Sequence, residues 1–273
     1  MPALAQQENQ NEPKAVIEIK DLVTHYGERM ILNGINASIY AGEIVVIMGG
    51  SGSGKSTLLR HLLGLEQPTS GSISLLGKDI THMSTRELHE LRQDMGVAFQ
   101  GGALFSSMSV GENVSLPLRE HTKLDEKTMQ IMTRMKLEVV NLAGFEDLKP
   151  SELSGGMIKR AALARALIMD PKMLFFDEPS AGLDPVVAAE LDELILRLRD
   201  AMPMTIVIVT HELESAFKIA DRIIVLDQGE ILITGTVDEV RNCDNERVLD
   251  LLNRRPREDE LDAEAYLHRL TKE

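Results

Sequence analysis

Eight consecutive residues, GGSGSGKS at positions 49–56, constrain the fold of this 273-residue chain more than any other feature. They match the pattern G-x-x-x-x-G-K-[S/T], in which a glycine-rich loop wraps phosphate groups. A short, mainly apolar run at 43–48 precedes the loop, and helical sequence follows from Ser56. Strand, loop and helix stand in the order that the motif requires, so the sequence predicts a phosphate-binding loop rather than a flexible Gly/Ser turn.

Each residue type in this loop has a chemical reason to be there. Glycines let backbone N–H groups approach the phosphates, Lys55 supplies a positive charge to the β- and γ-phosphates, and the Ser56 hydroxyl can reach Mg²⁺. The helix N-terminus adds a favourable dipole for an anion. The residues predicted to contact ATP here are Gly49, Gly50, Ser51, Gly52, Ser53, Gly54, Lys55, Ser56 and Thr57. Many nucleoside triphosphatase families share such a loop.

Two adjacent acidic residues, Asp177 and Glu178, reduce the number of nucleoside triphosphatase families that fit the sequence. The apolar run 173–176 ends in Asp177 and Glu178, as expected for a strand that presents an Mg²⁺-linked aspartate and a water-polarising glutamate. Such a pair by itself is more often a solvated turn. Because a phosphate loop lies upstream, we predict that Asp177 serves the metal and Glu178 the water.

A second anion site is predicted at Ser154, Gly155 and Gly156, in the sequence LSGGM ahead of an alanine-rich helical segment. Backbone amides, a serine hydroxyl and a helix N-terminus converge there. The alternative is a serine N-cap followed by glycines that serve packing. If the first interpretation holds, one chain contains two half-sites.

The pattern of apolar residues predicts an α/β fold with a mostly parallel sheet, an antiparallel β portion near the N-terminus and an inserted helical subdomain. Further strands are expected at 205–210 and in a hairpin formed by 222–227 and 230–234. The predicted organisation is a polar mobile tail at 1–13, one domain at 14–241 with a helical subdomain at about 101–170, and a charged C-terminal extension at 242–273. The extension is expected to become ordered only against another surface.

The net charge, the cysteine count and the length of the apolar runs disfavour several functions and locations. The formal net charge is −14, with 29 Lys and Arg against 43 Asp and Glu, which disfavours nucleic-acid binding and adhesion to anionic membranes. Cys243 is the only cysteine, and residues 1–13 contain no charged-then-apolar leader, so a reducing cytosol is expected. No stretch approaches about 18 apolar residues, so work at a membrane would need a separate subunit.

The order of these motifs from about 16 to 240 resembles an ABC-type ATPase. The resemblance implies a head-to-tail homodimer in which the Leu-Ser-Gly-Gly element of one protomer closes on ATP held by the other. It also implies that Tyr26 stacks on adenine and that Gln100 links Mg²⁺ and the attacking water to the helical subdomain. By the same resemblance, His211 contacts the γ-phosphate and Asp184 lies at the dimer seam.

Each of these four residues has a purely structural alternative. Tyr26 could cap a sheet edge, Gln100 could be a loop residue, and His211 could simply end a strand. Asp184 could be an N-cap ahead of Pro185. The register of the other motifs favours the functional interpretations.

Met157 departs from the commonest family pattern, which has Gln or Glu there. A signature ending in Met resembles the ATPase subunits of Mla-type lipid transporters. Further phrases similar to that branch lie at 100–110, 113–114, 117–122 and 150–154. Most of them lie in the helical subdomain, the part of an ABC ATPase that docks the permease. The alternative is that Leu104, Phe105 and Met108 are ordinary core residues.

The Mla-type resemblance implies phospholipid movement between the two membranes of a Gram-negative envelope. The implied partners are an integral-membrane permease, a small accessory cytoplasmic subunit and a periplasmic lipid-binding subunit, with no nucleic acid. The implied location is the cytoplasmic face of the inner membrane. The rival functions are an importer of another solute such as an amino acid, an ABC protein acting on DNA or the ribosome, and a nucleotide-binding module without turnover. DNA and ribosome proteins usually have paired cassettes, a long coiled coil or zinc cysteines, and intact Glu178 and His211 disfavour the last rival.

Overall fold

A computed structural model describes residues 15–255, built around strands that are apolar on both faces. The predicted tail at 1–13 and residues 256–273 of the predicted extension lie outside the described residues. The strands are β1 (Ala15–Tyr26), β2 (Arg29–Tyr40), β3 (Ile44–Met48), β4 (Ser70–Leu75), β5 (Lys78–Asp79), β6 (Met95–Ala98), β7 (Met173–Asp177), β8 (Thr205–Thr210), β9 (Arg222–Asp227) and β10 (Glu230–Gly235). The helices are α1 (Lys55–Leu62), α2 (Thr85–Arg92), α3 (Val110–His121), α4 (Glu126–Val139), α5 (Gly155–Leu167), α6 (Pro185–Ala201), α7 (Leu213–Ile219), α8 (Val237–Arg241) and α9 (Glu246–Leu252).

The strands of the described chain form two sheets. The larger has the order β10-β9-β3-β8-β7-β6, with all neighbours parallel except the antiparallel pair β10 and β9. The smaller sheet is antiparallel, with the order β2-β1-β4-β5. The predicted fold class is therefore confirmed, because the mostly parallel sheet, the antiparallel portion and the helical insertion are all present.

Alternate residues of the central strands belong to two different cores. Val45 and Ile47 of β3 pack with the antiparallel sheet and α1, whereas Ile44 and Val46 pack with the helices on the opposite face. Every residue of β3 and β8 is buried. Parallel sheets covered on both faces have such unbroken apolar strands, which explains why β3 and β8 were readable from the sequence.

The apolar spacing of the sequence predicts helices over 128–142, 157–169 and 186–199, and the observed helices start one or two residues earlier. The helices α4, α5 and α6 begin instead at Glu126, Gly155 and Pro185. In each case the side chain of the preceding residue, Asp125, Ser154 or Asp184, accepts a backbone N–H from the first turn. An N-cap of this kind satisfies amides that otherwise lack a partner, so the cap sets the start of the helix.

Between residues 70 and 98 the structure has four elements that were not predicted from the sequence, β4, β5, α2 and β6. One signal was available, because Ser84 and Glu87 form a capping box at the start of α2. The four-residue β6 has only two buried positions and shows little periodicity of its own. Its place is set by pairing with β7.

The first part of the predicted C-terminal extension packs on the core. Val248 of α9 is fully buried, and the Arg247 guanidinium donates to the Asp227 carboxylate over 2.7 Å from Nε to Oδ2.

No helix within residues 15–255 is both long and apolar enough to cross a membrane.

Gly96 allows α5 to pack tightly on β6. A Cβ at Gly96 would lie less than 3.0 Å from the carbonyl oxygen of Ala166 on α5. We expect Gly96→Ala to lower the free energy of unfolding by about 1–3 kcal/mol, because the helix must shift to relieve the overlap. Gly101→Ala is the matched control, since its Cβ would meet no atom within 4 Å, and it should change stability by less than about 0.5 kcal/mol. Urea unfolding of both variants measures the difference, and equal midpoints would contradict the packing argument.

Candidate nucleotide site

The glycine-rich loop connects β3 to α1 and bends sharply back over the end of the strand. Gly54 is the N-cap of α1 with φ of 105°, a left-handed conformation that favours glycine. A Cβ at Gly49 would lie less than 3.0 Å from the carbonyl oxygen of Leu226, so only glycine fits there. The Lys55 ammonium donates to the carbonyl oxygens of Gly49 and Gly50, each over 2.9 Å. The loop thus folds around its own lysine.

The surroundings of the loop suit an anion. A cavity of about 250 Å³ is lined by the loop residues 52–57 together with Tyr26, Arg29 and Ile31. The first turn of α1 contains no acidic residue. The Ser53 hydroxyl is buried and has no hydrogen-bond partner among the described residues. An unpaired buried donor beside a helix N-terminus fits a phosphate oxygen, so these residues fit the phosphates of ATP.

Tyr26 ends β1 and lines the same cavity. Its hydroxyl donates to the Glu66 carboxylate, which also accepts from Arg60 of α1 over 3.2 Å. The ring is about half exposed, at 46%. The structure therefore places a tethered, accessible aromatic ring beside the phosphate loop. The family resemblance implies that this ring stacks on adenine.

The acidic pair Asp177 and Glu178 lies at the carboxyl end of β7, beside the carboxyl end of the adjacent strand β8. Asp177 is the last residue of β7, and His211 follows β8, which runs parallel beside it. The Nδ1 atom of His211 is 2.8 Å from Oε1 of Glu178, and the Thr210 hydroxyl donates to Oε2 over 3.2 Å. Glu178 has φ of 49°, which is uncommon for a residue other than glycine and frequent at functional sites.

Charges of both signs meet at this point. Burial lowers the pKa of the Lys55 ammonium, and the carboxylates of Glu178 and Asp177 oppose that change. Burial and the Glu178 charge raise the pKa of the Asp177 carboxyl, and the cations of Arg60, Lys159 and Lys55 oppose that change. The two carboxylates and Lys55 are therefore close enough to interact, as a site handling phosphate charge requires.

Gln100 follows β6, the next strand beyond β7, and its side chain is exposed. Its backbone carbonyl accepts a hydrogen bond from the ammonium of Lys159 on α5. The same ammonium donates to the carbonyl oxygen of Glu178 over 3.1 Å. Sequence reasoning missed Lys159, because a lysine on an exposed-looking helix carries no signal until the helix is placed.

The predicted second anion site lies elsewhere. Ser154 and Gly156 line a cavity of about 580 Å³ that shares no lining residue with the cavity at the phosphate loop. The Ser154 hydroxyl accepts the N–H of Met157, and Asp184 caps α6 by accepting the N–H groups of Val186 and Val187. Ser154 and Asp184 therefore both act as helix N-caps, as the structural alternatives held. Acting as an N-cap does not exclude a further role at a dimer interface.

The predicted magnesium ligands are a hydroxyl, an amide and a carboxylate, from Ser56, Gln100 and Asp177. Within residues 15–255 no group of three or more His, Cys, Asp or Glu side chains could hold a metal ion. Mg²⁺ is usually bound through one or two carboxylates, with phosphate oxygens and waters completing the shell. An oxygen-only donor set beside a phosphate loop fits that preference.

A phosphate loop between a strand and a helix, with an acidic pair on a nearby parallel strand, defines a P-loop nucleoside triphosphatase. Residues 32–181, more than half of the chain, match the family described as ABC transporter. The chain belongs to the ABC transporter family, as the sequence analysis predicted, and it is an ATPase of the α/β cassette type.

Relatives and solved structures agree with this membership. The chain is 42% identical over 244 residues to the intermembrane phospholipid transport system ATP-binding protein MlaF of Haemophilus influenzae, covering 89% of this chain and 91% of the relative. It is 42% identical to the probable ribonucleotide transport ATP-binding protein mkl of Mycobacterium leprae, covering 88% of this chain and 69% of the relative. The dimeric post-hydrolysis state of the ATP-binding cassette MJ0796 bound to ADP and Pi has a TM-score of 0.75 at 32% identity, covering 81% of this chain and 98% of that chain. The cbiO1 structure from Clostridium perfringens has a TM-score of 0.78 at 31% identity, covering 94% of this chain and 100% of that chain.

Glu178 is predicted to act in the chemical step. We expect Glu178→Gln to retain ATP binding while turnover falls by roughly 10²–10⁴-fold, because the amide cannot take a proton from the attacking water. Glu90→Gln is a matched control, since Glu90 is exposed on α2 and forms a surface ion pair with Arg86. ATPase rates and ATP affinities of the purified complexes check this, and near-normal hydrolysis by Glu178→Gln would remove Glu178 from the mechanism.

Proposed function

We propose that this chain forms the ATPase domain at residues 14–241 of a transporter that moves phospholipid between membranes, acting as a homodimer on an integral-membrane permease. The observation that carries the ATPase mechanism is the grouping of Lys55, Asp177, Glu178 and His211 at the carboxyl ends of β3, β7 and β8. In this proposal Lys55 binds phosphate, and Glu178, with which its charge interacts, is paired with His211.

Hydrolysis proceeds in this proposal by in-line attack of water on the γ-phosphate of ATP. Glu178 polarises the water, and its hydrogen bonds from Thr210 and with His211 fix the direction of its carboxylate. Lys55 and the phosphate-loop amides stabilise the charge on the β- and γ-phosphates. Mg²⁺, held by Asp177, Ser56 and Gln100, would neutralise further phosphate charge. Tyr26 packs against adenine.

The homodimer follows from the position of the second anion site. Ser154 is the N-cap of α5 and lines a cavity separate from the one at the phosphate loop of its own chain. A second protomer that presents its ATP to Ser154 gives that helix end a ligand, and Asp184 lies beside the same seam. The two dimeric structures of the MJ0796 cassette, which are 32% and 33% identical to this chain, support this arrangement.

The cargo is proposed from the relatives. The two MlaF proteins of Haemophilus influenzae and Escherichia coli K12 are covered over 91% and 88% of their length, whereas the mkl proteins are covered over 67–69%. Phospholipid is therefore favoured over ribonucleotide, which remains the second candidate, and an amino acid has no support among these relatives.

The proposal includes an accessory cytoplasmic subunit, a periplasmic lipid-binding subunit and a place at the cytoplasmic face of the inner membrane.

The helical portion offers the surface for the permease. Leu104 packs against the core, as the structural alternative holds, but Phe105 exposes 52% of its side chain. The loop that contains both residues follows Gln100 directly, so a partner that binds there can alter the position of Gln100. This continuity supports coupling between the permease and hydrolysis.

The shared-site dimer makes a prediction about mixed complexes. Lys55→Ala removes a phosphate contact, and Ser154→Arg blocks the facing half-site by its bulk, so either homodimer should be inactive. In a dimer with one mutant of each kind, both lesions fall on one site and the other site is intact. We expect this mixed dimer, purified with two affinity tags, to recover part of the wild-type ATPase rate. A dimer mutated in only one chain controls for strict cooperation between sites, and no recovery despite an active control would exclude shared sites.

The cargo can be tested directly. The chain is purified with its co-encoded membrane partners, reconstituted in vesicles, and assayed for transfer of a fluorescent phospholipid to acceptor vesicles. We expect transfer to require ATP and to be lost with Glu178→Gln. If ribonucleotide or amino acid stimulated hydrolysis and was transported while the phospholipid stayed in place, the phospholipid assignment would be wrong.

A further inference from the structure

Lys159 connects three segments that the site requires. It lies in the second turn of α5, five residues after Ser154. Its ammonium donates to the carbonyl oxygen of Gln100, in the loop after β6, and to the carbonyl oxygen of Glu178, directly after β7. An ammonium has three donors and no acceptor, so it can hold two carbonyl groups at once. The helix that starts the second anion site is therefore bonded to the first site of the same chain.

The carbonyl groups that Lys159 binds belong to Glu178, which has an uncommon backbone conformation, and to Gln100, which lies in a loop. Glu178 has a left-handed backbone, and its N–H donates to the carbonyl oxygen of Val209 over 2.8 Å. Its own carbonyl oxygen accepts the Ala181 N–H over 3.3 Å as well as the Lys159 ammonium, so Lys159 adds a bond from a different helix to this strained residue. Side chains of α5 donate to backbone carbonyl oxygens of the loop after β6. Arg165, also on α5, donates to the carbonyl oxygens of Gly102 and Ala103 over 2.8 and 2.7 Å. Arg165 thus anchors the loop, while Lys159 joins the loop to Glu178.

We propose that Lys159 is a positioning residue for ATP hydrolysis, which holds the backbones of Gln100 and Glu178 in register with the start of α5. This inference rests on the proposed function of Glu178 and Gln100. In the shared-site dimer, Ser154 serves the ATP of the partner, whereas Lys159 serves the ATP of its own chain. A single side chain therefore transmits movement of the Ser154 helix end to the water-activating residues of the other site.

The position of Lys159 predicts which kinetic constant changes. Its bonds go to the residues that direct the water, and none goes to Lys55, Tyr26 or the glycine-rich loop. Loss of these bonds should displace Glu178 and Gln100 by a fraction of an ångström or more, and a displacement of about 1 Å can cost about 10²-fold in rate. ATP binding should persist, because the groups that bind ATP keep their contacts.

The test compares variants of the full complex. We expect Lys159→Met, which keeps the length but donates no hydrogen bond, to lower kcat about 10–100-fold while KM for ATP stays within about twofold. Lys159→Arg keeps two or more donors and should recover most of the rate. Lys172→Met is the matched control, because Lys172 is exposed and pairs with Asp94 on the surface, and it should leave both constants unchanged.

Several outcomes would overturn the inference. Wild-type kcat in Lys159→Met, or an equal loss of kcat and ATP affinity with no rescue by Arg, would show that Lys159 has no positioning role or only a structural one. If Lys159→Met does not fold, Lys159→Gln is compared with Lys159→Arg, and equal rates would count against the proposal. Glu178→Gln is measured in parallel. Normal hydrolysis by Glu178→Gln would contradict the proposed function itself, whereas an inactive Glu178→Gln beside a fully active Lys159→Met would contradict only this inference.

Discussion

Parallel pairing of β3, β8 and β7 is the constraint on which the rest of the structure depends. Parallel neighbours end at the same edge of a sheet. The phosphate loop after β3, His211 after β8 and Glu178 after β7 therefore lie at one edge. More than a hundred residues of sequence separate the phosphate loop from His211. The pairing is possible because both faces of these strands are covered, one by the antiparallel sheet and one by the helices.

The charges at this edge balance one another. A buried lysine or aspartate alone would be costly, and burial shifts the pKa of Lys55 downwards and that of Asp177 upwards. The attraction between the Lys55 ammonium and the Asp177 carboxylate opposes both pKa shifts. A site that receives a polyphosphate benefits from cations in the loop and carboxylates beside it, because the first group binds the anion and the second group serves metal and water.

The helical insertion, α3 to α5, is connected to the site by hydrogen bonds from side chains of α5. Its helix α5 is capped by Ser154, packs on β6 through Gly96, and bonds through Lys159 and Arg165 to the loop around Gln100. In the proposed mechanism, a movement of this helix would reach the residues of hydrolysis through hydrogen bonds to the backbone. This arrangement supplies a physical route by which binding at a partner surface and turnover of ATP can influence each other.

The sequence by itself determined the elements whose signals are local. The phosphate loop, the apolar strands β3, β7 and β8, and the capped helices α5 and α6 depend on spacing, burial on both faces and N-cap chemistry within a few residues. The tertiary structure alone decided β6, whose four residues are defined by pairing with β7, and it alone revealed the contact of Tyr26 with Glu66 and the bonds of Lys159 to Gln100 and Glu178. These contacts join residues 19–59 positions apart, and no local periodicity encodes them.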